Sequence, residues 1–305
     1  MRNGWNRDGF CVCPGLFSEQ EVLGFRQRAL HLARQFNGAD IVDKSIPVDL
    51  LSDAVFQSLV LDPRILNLAR ELVGPRVVYF GDSKVTIISK SRGQYHKDNG
   101  RRGPWPLGEG YDPFDPREGP YNVLRIFVYL QDHRQVSGNL RIKRGSHRLP
   151  FSRYSFWPRD LAFWMTKRLR TFPIPRGGRR VNVNTALGDV VAMNLRTTHG
   201  PNAVRIKGLP QFVVDPAIQN LVPGFLREPR PTMRIALIIT LGAPGVHLDR
   251  FIYSRMRRAS ADKLGRRYRE ATFDSPEMQL RASQSGLELR FDLVQRARDW
   301  SSASP

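Results

Sequence analysis

The chain has 305 residues, of which 41% are apolar and 25% charged, enough for one large domain or two small ones with a sizeable core. No apolar run is long enough to cross a bilayer, and the first ten residues lack the apolar stretch of a signal peptide, so we expect no transmembrane segment and a cytoplasmic location. Cys11 and Cys13 are too few for a disulfide framework or a zinc ligand set.

The formal net charge of +20 is compatible with an anionic substrate, an anionic membrane surface or a nucleic acid. However, the basic residues are spread along the chain, and no helix-turn-helix, zinc-finger or RNP-like pattern accompanies them. We therefore expect no sequence-specific nucleic-acid binding.

The first 75 residues predict a short strand and two helices. Residues 9–17, GFCVCPGLF, alternate as a strand does and end in a Pro-Gly turn. Ser18 and Glu21 form the capping box of a first helix, and Asp62 is the N-cap of a second one that a Gly-Pro pair ends. We therefore predict that residues 1–75 are a helical N-terminal cover.

Segments rich in β-branched and aromatic residues follow, separated by turns rich in Gly, Pro, Asn and Asp. They are residues 77–89, 121–132, 138–147, 179–195 and 233–242. Many strands without regular helices between them indicate a sandwich or a barrel. We predict a single domain over residues 1–305, with a β core at 76–245, insertions at 148–180 and 208–231, and a basic helical tail at 246–305.

The stretch QYHKDNG, residues 94–100, places His96 and Asp98 two positions apart after a predicted strand. Side chains at i and i+2 of an extended segment project to one side, so both can face one metal ion while Lys97 points away. A lone His-x-Asp pair is weak, because on the order of 0.3 such pairs arise by chance in a chain of this length. An iron(II) site of two imidazoles and one carboxylate also requires a second histidine.

His199 is the best candidate for this second histidine. It follows an apolar strand, and the adjacent Gly200 allows close approach of a ligand or a metal. Each of the other histidines has a more ordinary interpretation: His31 half-exposed on the first helix, His133 in a polar turn, His147 as a turn cap that bonds to backbone, and His247 in a loop.

Five segments in order resemble the phytanoyl-CoA dioxygenase-like branch of the iron(II)- and 2-oxoglutarate-dependent oxygenases. They are GFCVCPGLFSEQEV, DPRILNLARELVGP, YHKD, SGNLRIKRGSHR and GDVVAMNLRTTHGPN, and they extend from residue 9 to about 242. The resemblance implies a mainly β fold with flanking helices, closed as a double-stranded β-helix of the jelly-roll or cupin type. It also implies that His96, Asp98 and His199 bind Fe(II), with 2-oxoglutarate and O2 as co-substrates.

In this family an arginine on the strand after the second histidine holds the far carboxylate of 2-oxoglutarate, and Arg234, which opens RIALIITLG, matches that place. A planar guanidinium suits the task because it meets a carboxylate in a bidentate fashion. The number of residues between His199 and Arg234 is larger than is usual in the family, so Arg205 is a second candidate for this role. Lys90 matches a lysine that is frequent upstream of the pair and is expected near the co-substrate.

The implied activity is hydroxylation of an unactivated C–H bond in a small or medium-sized, anionic metabolite, with succinate and CO2 as co-products. Such a metabolite would be an acyl thioester, a carrier-bound compound or another biosynthetic intermediate. Asp98 favours hydroxylation, because related halogenases have a small residue in place of this carboxylate. Desaturation, cyclisation or epimerisation in secondary metabolism remains open.

The candidates for substrate binding are Arg125, Arg101 and Trp157, with Arg102 beside them. The aromatic and basic insertion 148–180 contains a helical pattern and is either a substrate clamp, a peripheral membrane surface or a cover packed on the barrel; the cover is favoured because apolar stripes usually pack in a core. A different class of protein would also fit the charge: a non-catalytic β-barrel that binds an anionic polymer, with steep salt dependence and no effect of His96→Ala.

Overall fold

The computed structural model describes residues 1–37, 44–46, 48–88, 96–98, 118–148, 179–201, 204–209, 212, 214, 219, 221–229, 233–259, 268 and 271–303. Its helices are α1 (Arg2–Asp8), α2 (Glu19–Asn37), α3 (Ala54–Val60), α4 (Pro63–Val73), α5 (Val246–Ala259), α6 (Pro276–Gln284) and α7 (Asp292–Ala303). Its strands are β1 (Phe10–Cys13), β2 (Lys44–Ile46), β3 (Val77–Tyr79), β4 (Lys84–Ile88), β5 (Val123–Tyr129), β6 (Leu140–Lys143), β7 (Arg180–Val183), β8 (Val190–Asn194), β9 (His199–Gly200), β10 (Arg234–Gly242) and β11 (Leu287–Leu289).

The two predicted N-terminal helices begin where their capping residues indicate. The backbone N–H of Ser18 donates to Glu21 Oε2 at 2.7 Å, and the Glu21 N–H donates to Ser18 Oγ at 3.3 Å, so the capping box is confirmed. The Asp62 carboxylate accepts from the backbone N–H of Arg64 at 2.7 Å at the start of α4. The helices α1 and α3 were not predicted.

Eight strands form a large sheet in which β10 is central. The order along its main path is β1-β8-β5-β10-β3-β11, and β4 pairs with both β10 and β2. The residues of β10 that alternate toward the helices join the main apolar core beneath the N-terminal helices; they are Ile235, Leu237, Ile239 and Leu241. The large sheet therefore has one face covered by α-helices.

The other face of β10 faces a second, three-stranded sheet, called the small sheet below. Ala236 and Ile238 lie opposite Tyr129 and Phe127 of β5, and Ile238 also lies opposite Lys84 of β4. Residues that are directly opposite in an antiparallel pair lie on the same face of a sheet. Since Ala236 and Ile238 belong to an apolar cluster built from both sheets, the other three side chains face the same interior.

The small sheet has the order β7-β6-β9, and an isolated bridge between His96 and His199 extends it by one strand position. Leu140, Ile142 and Val183 of this sheet enter the interior cluster and pack against the large sheet. Two facing sheets with flanking helices agree with the predicted fold class in outline.

Three predictions about local structure are wrong. The expected strand 77–89 is divided into β3 and β4, because Gly81 takes a φ of 85° that ordinary residues avoid. The C-terminal tail is not wholly helical, since β11 pairs in parallel with β3. His247 lies in α5 and is buried, not in a loop.

Several predicted features fall outside the described residues. They are Lys90, Arg101, Arg102 and Trp157, together with residues 149–178 of the first insertion. Within the described part of the chain, no helix combines the length and apolar character needed to cross a membrane. Cys11 and Cys13 are both buried thiols without a disulfide.

A glycine turn joins the N-terminal loop to β8, which leads to His199. Gly188 has a φ of 88°, and a Cβ placed there would lie 2.1 Å from the carbonyl oxygen of Phe17. The neighbouring Asp189 accepts from the backbone N–H groups of Gly15 at 2.8 Å and Ala186 at 2.7 Å. The sequence pair Gly-Asp is therefore fixed by a close backbone contact and two hydrogen bonds.

The substitution Gly188→Ala is expected to destabilise the fold by about 1–3 kcal/mol from backbone strain, with the steric contact adding to that cost. Urea unfolding followed by circular dichroism measures the change. The matched control is Gly24→Ala in α2, where an added Cβ meets nothing within 4 Å, so stability should stay equal or rise by up to about 1 kcal/mol. Equal stability of Gly188→Ala and the wild type would contradict this interpretation.

Candidate metal centre

His96 and His199 are brought together by backbone pairing. The His96 N–H donates to the His199 carbonyl at 2.8 Å, and the His199 N–H donates to the His96 carbonyl at 2.9 Å. Their ring centroids are 4.3 Å apart. The backbone N–H of Asp98 donates to the Leu195 carbonyl at 3.2 Å, which fixes the third residue at the end of β8.

The side chains of these three residues converge. Nε2 of His96 is 3.8 Å from Asp98 Oδ1, and Nε2 of His199 is 3.5 Å from Asp98 Oδ2. One donor atom from each residue lies within 4.8 Å of the other two. His199 and Asp98 are buried, whereas 40% of the His96 side chain is exposed, which leaves one side of the cluster accessible. Two imidazoles and one carboxylate on one face match the donor set of non-haem iron(II) sites.

His199 is prepared to act as a ligand through Nε2. Its Nδ1 lies 3.1 Å from the Thr197 carbonyl, so in the neutral ring Nδ1–H donates there and Nε2 keeps its lone pair. Burial, with a further contribution from His96, lowers the pKa of His199 to about 4. The imidazole is therefore neutral at neutral pH, which is the form that a metal requires.

The charge of Asp98 is maintained by a buried arginine. Burial by itself would raise the pKa of Asp98, but the charge of Arg125, followed by the two histidines, outweighs burial and holds the pKa below its usual range. Arg125 Nη1 lies 2.7 Å from Asp98 Oδ2 as an ion pair. Asp98 is thus an anion at neutral pH, as expected for a metal ligand.

Strand β5 presents three inward side chains in succession. Arg125 contacts the carboxylate of Asp98, and the ring of Phe127 lies edge-on to His199 with centroids 6.3 Å apart. Tyr129 follows two positions later, and the guanidinium carbon of Arg234 lies 4.8 Å from its ring centroid. One face of β5 therefore contacts Asp98 and His199 near one end and Arg234 near the other.

Arg234 and Arg205 have different surroundings. Arg234 is buried, and its Nε has no hydrogen-bond partner in the described part of the chain. Arg205 Nε lies 2.9 Å from Glu228 Oε2, and its Nη1 donates to the His133 carbonyl. The guanidinium of Arg205 is thus already engaged by a carboxylate, whereas Arg234 retains donor capacity inside the fold.

The remaining histidines lie apart from the three converging side chains. His31 is exposed on α2. His147 Nε2 lies 3.2 Å from the Asn6 carbonyl, in agreement with a backbone-bonding role. His133 is fully buried, with its Nε2 2.9 Å from Gln131 Nε2, and burial lowers its pKa to about 3.

Arg125, predicted as a substrate contact, is enclosed by ion pairs instead. It is 4% exposed and lies between Asp98 and Asp82. Lys97 points away from the cluster, as expected, and donates from Nζ to the Ser146 carbonyl at 2.8 Å.

Sequence reasoning missed three charged residues next to the cluster: Asp82, Lys84 and Arg255. The inward position of Lys84 follows from the alternation of β4 once its pairing with β10 is known. Asp82 follows Gly81 in a turn that sequence patterns did not separate from the strand, and Arg255 belongs to a tail with no family motif. No local signal connected these residues to His96 and Asp98.

Comparison with protein-family models gives a match to the phytanoyl-CoA dioxygenase model over residues 5–205. Among curated proteins, the ectoine dioxygenase of Bordetella parapertussis is 26% identical over 256 residues, covering 74% of this chain and 78% of that protein.

Solved structures with similar folds include HygX from Streptomyces hygroscopicus with nickel and 2-oxoglutarate bound. Its TM-score is 0.54 at 19% identity, and the match covers 80% of this chain and 87% of HygX. SnoN, a non-haem α-ketoglutarate-dependent epimerase of nogalamycin biosynthesis, has a TM-score of 0.52 at 19% identity. The match covers 79% of this chain and 81% of SnoN. At this level of identity, the two structures support the fold.

Proposed function

Because the chain belongs to the phytanoyl-CoA dioxygenase family of iron(II)- and 2-oxoglutarate-dependent oxygenases, we propose that it hydroxylates an unactivated C–H bond of a small or medium-sized, anionic metabolite. The observation that carries the proposal is the convergence of His96, Asp98 and His199, with donor atoms within 4.8 Å of one another. These three residues would hold iron(II), since their donor set suits that metal and leaves positions open for other ligands.

When bound, iron(II), 2-oxoglutarate and O2 together supply an oxidant for C–H bonds, with succinate and CO2 as co-products. The protein supplies the binding and shielding groups. The neutral His199 and the anionic Asp98 present lone pairs, and the apolar ring of Phe127 lies edge-on to the buried His199. Arg234 would receive the far carboxylate of 2-oxoglutarate through its guanidinium fork. Lys90 and the engaged Arg205 remain secondary candidates.

The fold that we propose for this chemistry is a double-stranded β-helix. Its support is the interleaved strand order, in which β4-β10-β5-β8 of the large sheet face the His96 bridge, β9, β6 and β7 of the small sheet. The core between the sheets is shared by both. We propose a cytoplasmic location, because Cys11 and Cys13 are both buried thiols without a disulfide.

The proposal of an anionic substrate rests on Lys84. This side chain faces the interior next to Ile238 and is partly buried. Among the described residues its ammonium forms no hydrogen bond and no ion pair. Burial, followed by the charge of Arg125, lowers the pKa of Lys84 to about 7. An anionic group bound beside Lys84 would favour its charged form and would supply the missing partner.

The experiment that tests the proposed function is turnover of a metabolite extract by the iron-loaded enzyme with 2-oxoglutarate and ¹⁸O₂. We expect succinate release together with a product heavier than its precursor by one labelled oxygen atom. Loss of two hydrogens would indicate desaturation or cyclisation, and an unchanged mass would indicate epimerisation. His96→Ala is the control that should release no succinate. If wild-type protein consumes no 2-oxoglutarate yet binds an anionic polymer in a salt-dependent way, the enzymatic function is wrong.

A further inference from the structure

A chain of alternating charges leads from Asp98 to the C-terminal segment. Arg125 Nη1 lies 2.7 Å from Asp98 Oδ2, and Arg125 Nη2 lies 2.8 Å from Asp82 Oδ2. Arg255 Nη2 of helix α5 lies 2.5 Å from the second oxygen of Asp82, Oδ1. All four residues are at most 9% exposed, so solvent screens these pairs much less than it screens surface charges.

Thr240 of β10 contacts Arg125 and Asp82, the two middle residues of this series of charges. Its Oγ1 accepts from Arg125 Nε at 3.1 Å and donates to Asp82 Oδ2 at 2.9 Å. Arg125 thereby has one contact on Nε, one on Nη1 and one on Nη2. Such a guanidinium has little freedom to rotate, because each of its three nitrogens faces a different partner.

The direction of the contact with Asp98 matters for metal binding. A carboxylate can offer one oxygen or two to a metal ion, and Arg125 lies against Oδ2. Oδ2, which also lies 3.5 Å from His199 Nε2, is held by this cation, so Oδ1, which lies 3.8 Å from His96 Nε2, is the oxygen whose lone pairs stay available to the metal. A carboxylate that offers a single oxygen leaves more positions for 2-oxoglutarate and O2 than one that offers both.

We propose that Arg125, Asp82 and Arg255 form a positioning relay that holds Asp98 so that one carboxylate oxygen is available to iron. This inference depends on the proposed iron site. It assigns a role to helix α5, since Arg255 completes the relay and no family motif includes that helix. It also explains why Arg125 is enclosed rather than open to a substrate.

The test compares Arg255→Met with Arg290→Met in purified full-length protein. Arg290 is also an arginine of the C-terminal region with two acidic partners, Asp249 and Asp292, but it has no contact with the relay. We expect Arg255→Met to lower iron(II) affinity by about 10- to 100-fold, the usual range for residues that orient metal ligands. Arg290→Met should leave the affinity within about threefold of wild type, because partly exposed pairs contribute little. Competition with a chelating dye measures the affinities.

A spectroscopic readout separates positioning from general stability. Cobalt(II) bound to the wild type reports its coordination through the intensity of its visible bands, and Arg255→Met and Arg125→Lys should change that intensity while their circular dichroism stays native. Should Arg255→Met fail to fold, Thr240→Val removes the hydroxyl that bonds to Arg125 and Asp82, keeps both charges and the side-chain volume, and should cause a smaller shift in the same direction.

The outcomes distinguish this inference from the proposed function. If wild-type protein binds neither iron nor cobalt, the proposed function fails. If the wild type binds both metals, and folded relay variants bind them with unchanged affinity and an unchanged cobalt spectrum, the relay alone is wrong.

Discussion

Replacing His199 with alanine is expected to lower iron(II) affinity by more than about 100-fold, beyond the 10- to 100-fold losses typical of residues that merely orient a ligand. The reason is that His199 is the most enclosed of the three converging residues and presents a neutral Nε2, while its Nδ1 is engaged by the Thr197 carbonyl. Without this imidazole, only Asp98 and the half-exposed His96 remain, and two donors do not hold iron against water and buffer. Turnover of 2-oxoglutarate should then fall to background.

The metal affinity of apo protein, measured by competition with a chelating dye, checks this prediction independently of turnover. The matched control is His31→Ala, which removes an exposed imidazole on α2 and should leave both affinity and turnover unchanged. Wild-type iron affinity in a folded His199→Ala protein would show that the three converging residues are not the metal site.

The second large effect is expected from Arg234→Met, which should weaken 2-oxoglutarate binding by about 30-fold or more. Removing one partner of a buried, hydrogen-bonded charge pair costs roughly 2–5 kcal/mol, and each 1.4 kcal/mol corresponds to a factor of about ten. Arg234 is buried at the start of β10, next to Tyr129, and its Nε has no hydrogen-bond partner among the described residues. Iron affinity should stay near that of the wild type, because Arg234 is not one of the three converging residues proposed to bind iron.

Calorimetric titration of the metal-loaded protein with 2-oxoglutarate in the absence of O2 measures this effect. The matched control is the double substitution Arg205→Met with Glu228→Met, which removes both members of an ion pair and leaves no uncompensated charge. The control should bind 2-oxoglutarate normally. Weak binding in the control together with normal binding in Arg234→Met would assign the co-substrate to Arg205.

The sequence alone identified the elements whose signals are local. The capping box at Ser18 and Glu21 and the cap at Asp62 placed two helices, because a helix start is determined by residues within one turn. His96 and Asp98 could be paired for the same reason, since two positions on an extended segment share one side. His199 could be identified as the second histidine because it follows an apolar strand and because five family segments occur in order. Its distance from His96 along the sequence gave no such information.

Features that depend on distant pairing could not be predicted. Asp82 and Arg255 are 173 positions apart, and only the docking of α5 against the turn after β3 brings them together. Arg125 was expected to face a substrate because an inward arginine on a strand looks the same in the sequence whether it meets a ligand or a buried carboxylate. The interruption of the 77–89 segment at Gly81 was missed because β-branched residues lie on both sides of it.

Anaerobic titration of the apo protein with iron(II) and 2-oxoglutarate shows whether His96, Asp98 and His199 hold iron(II) beside a 2-oxoglutarate site. We expect a weak visible charge-transfer band that saturates at one equivalent of iron per chain, is lost in His199→Ala and needs a higher 2-oxoglutarate concentration in Arg234→Met. A folded wild-type protein that binds no iron and develops no band would contradict this expectation.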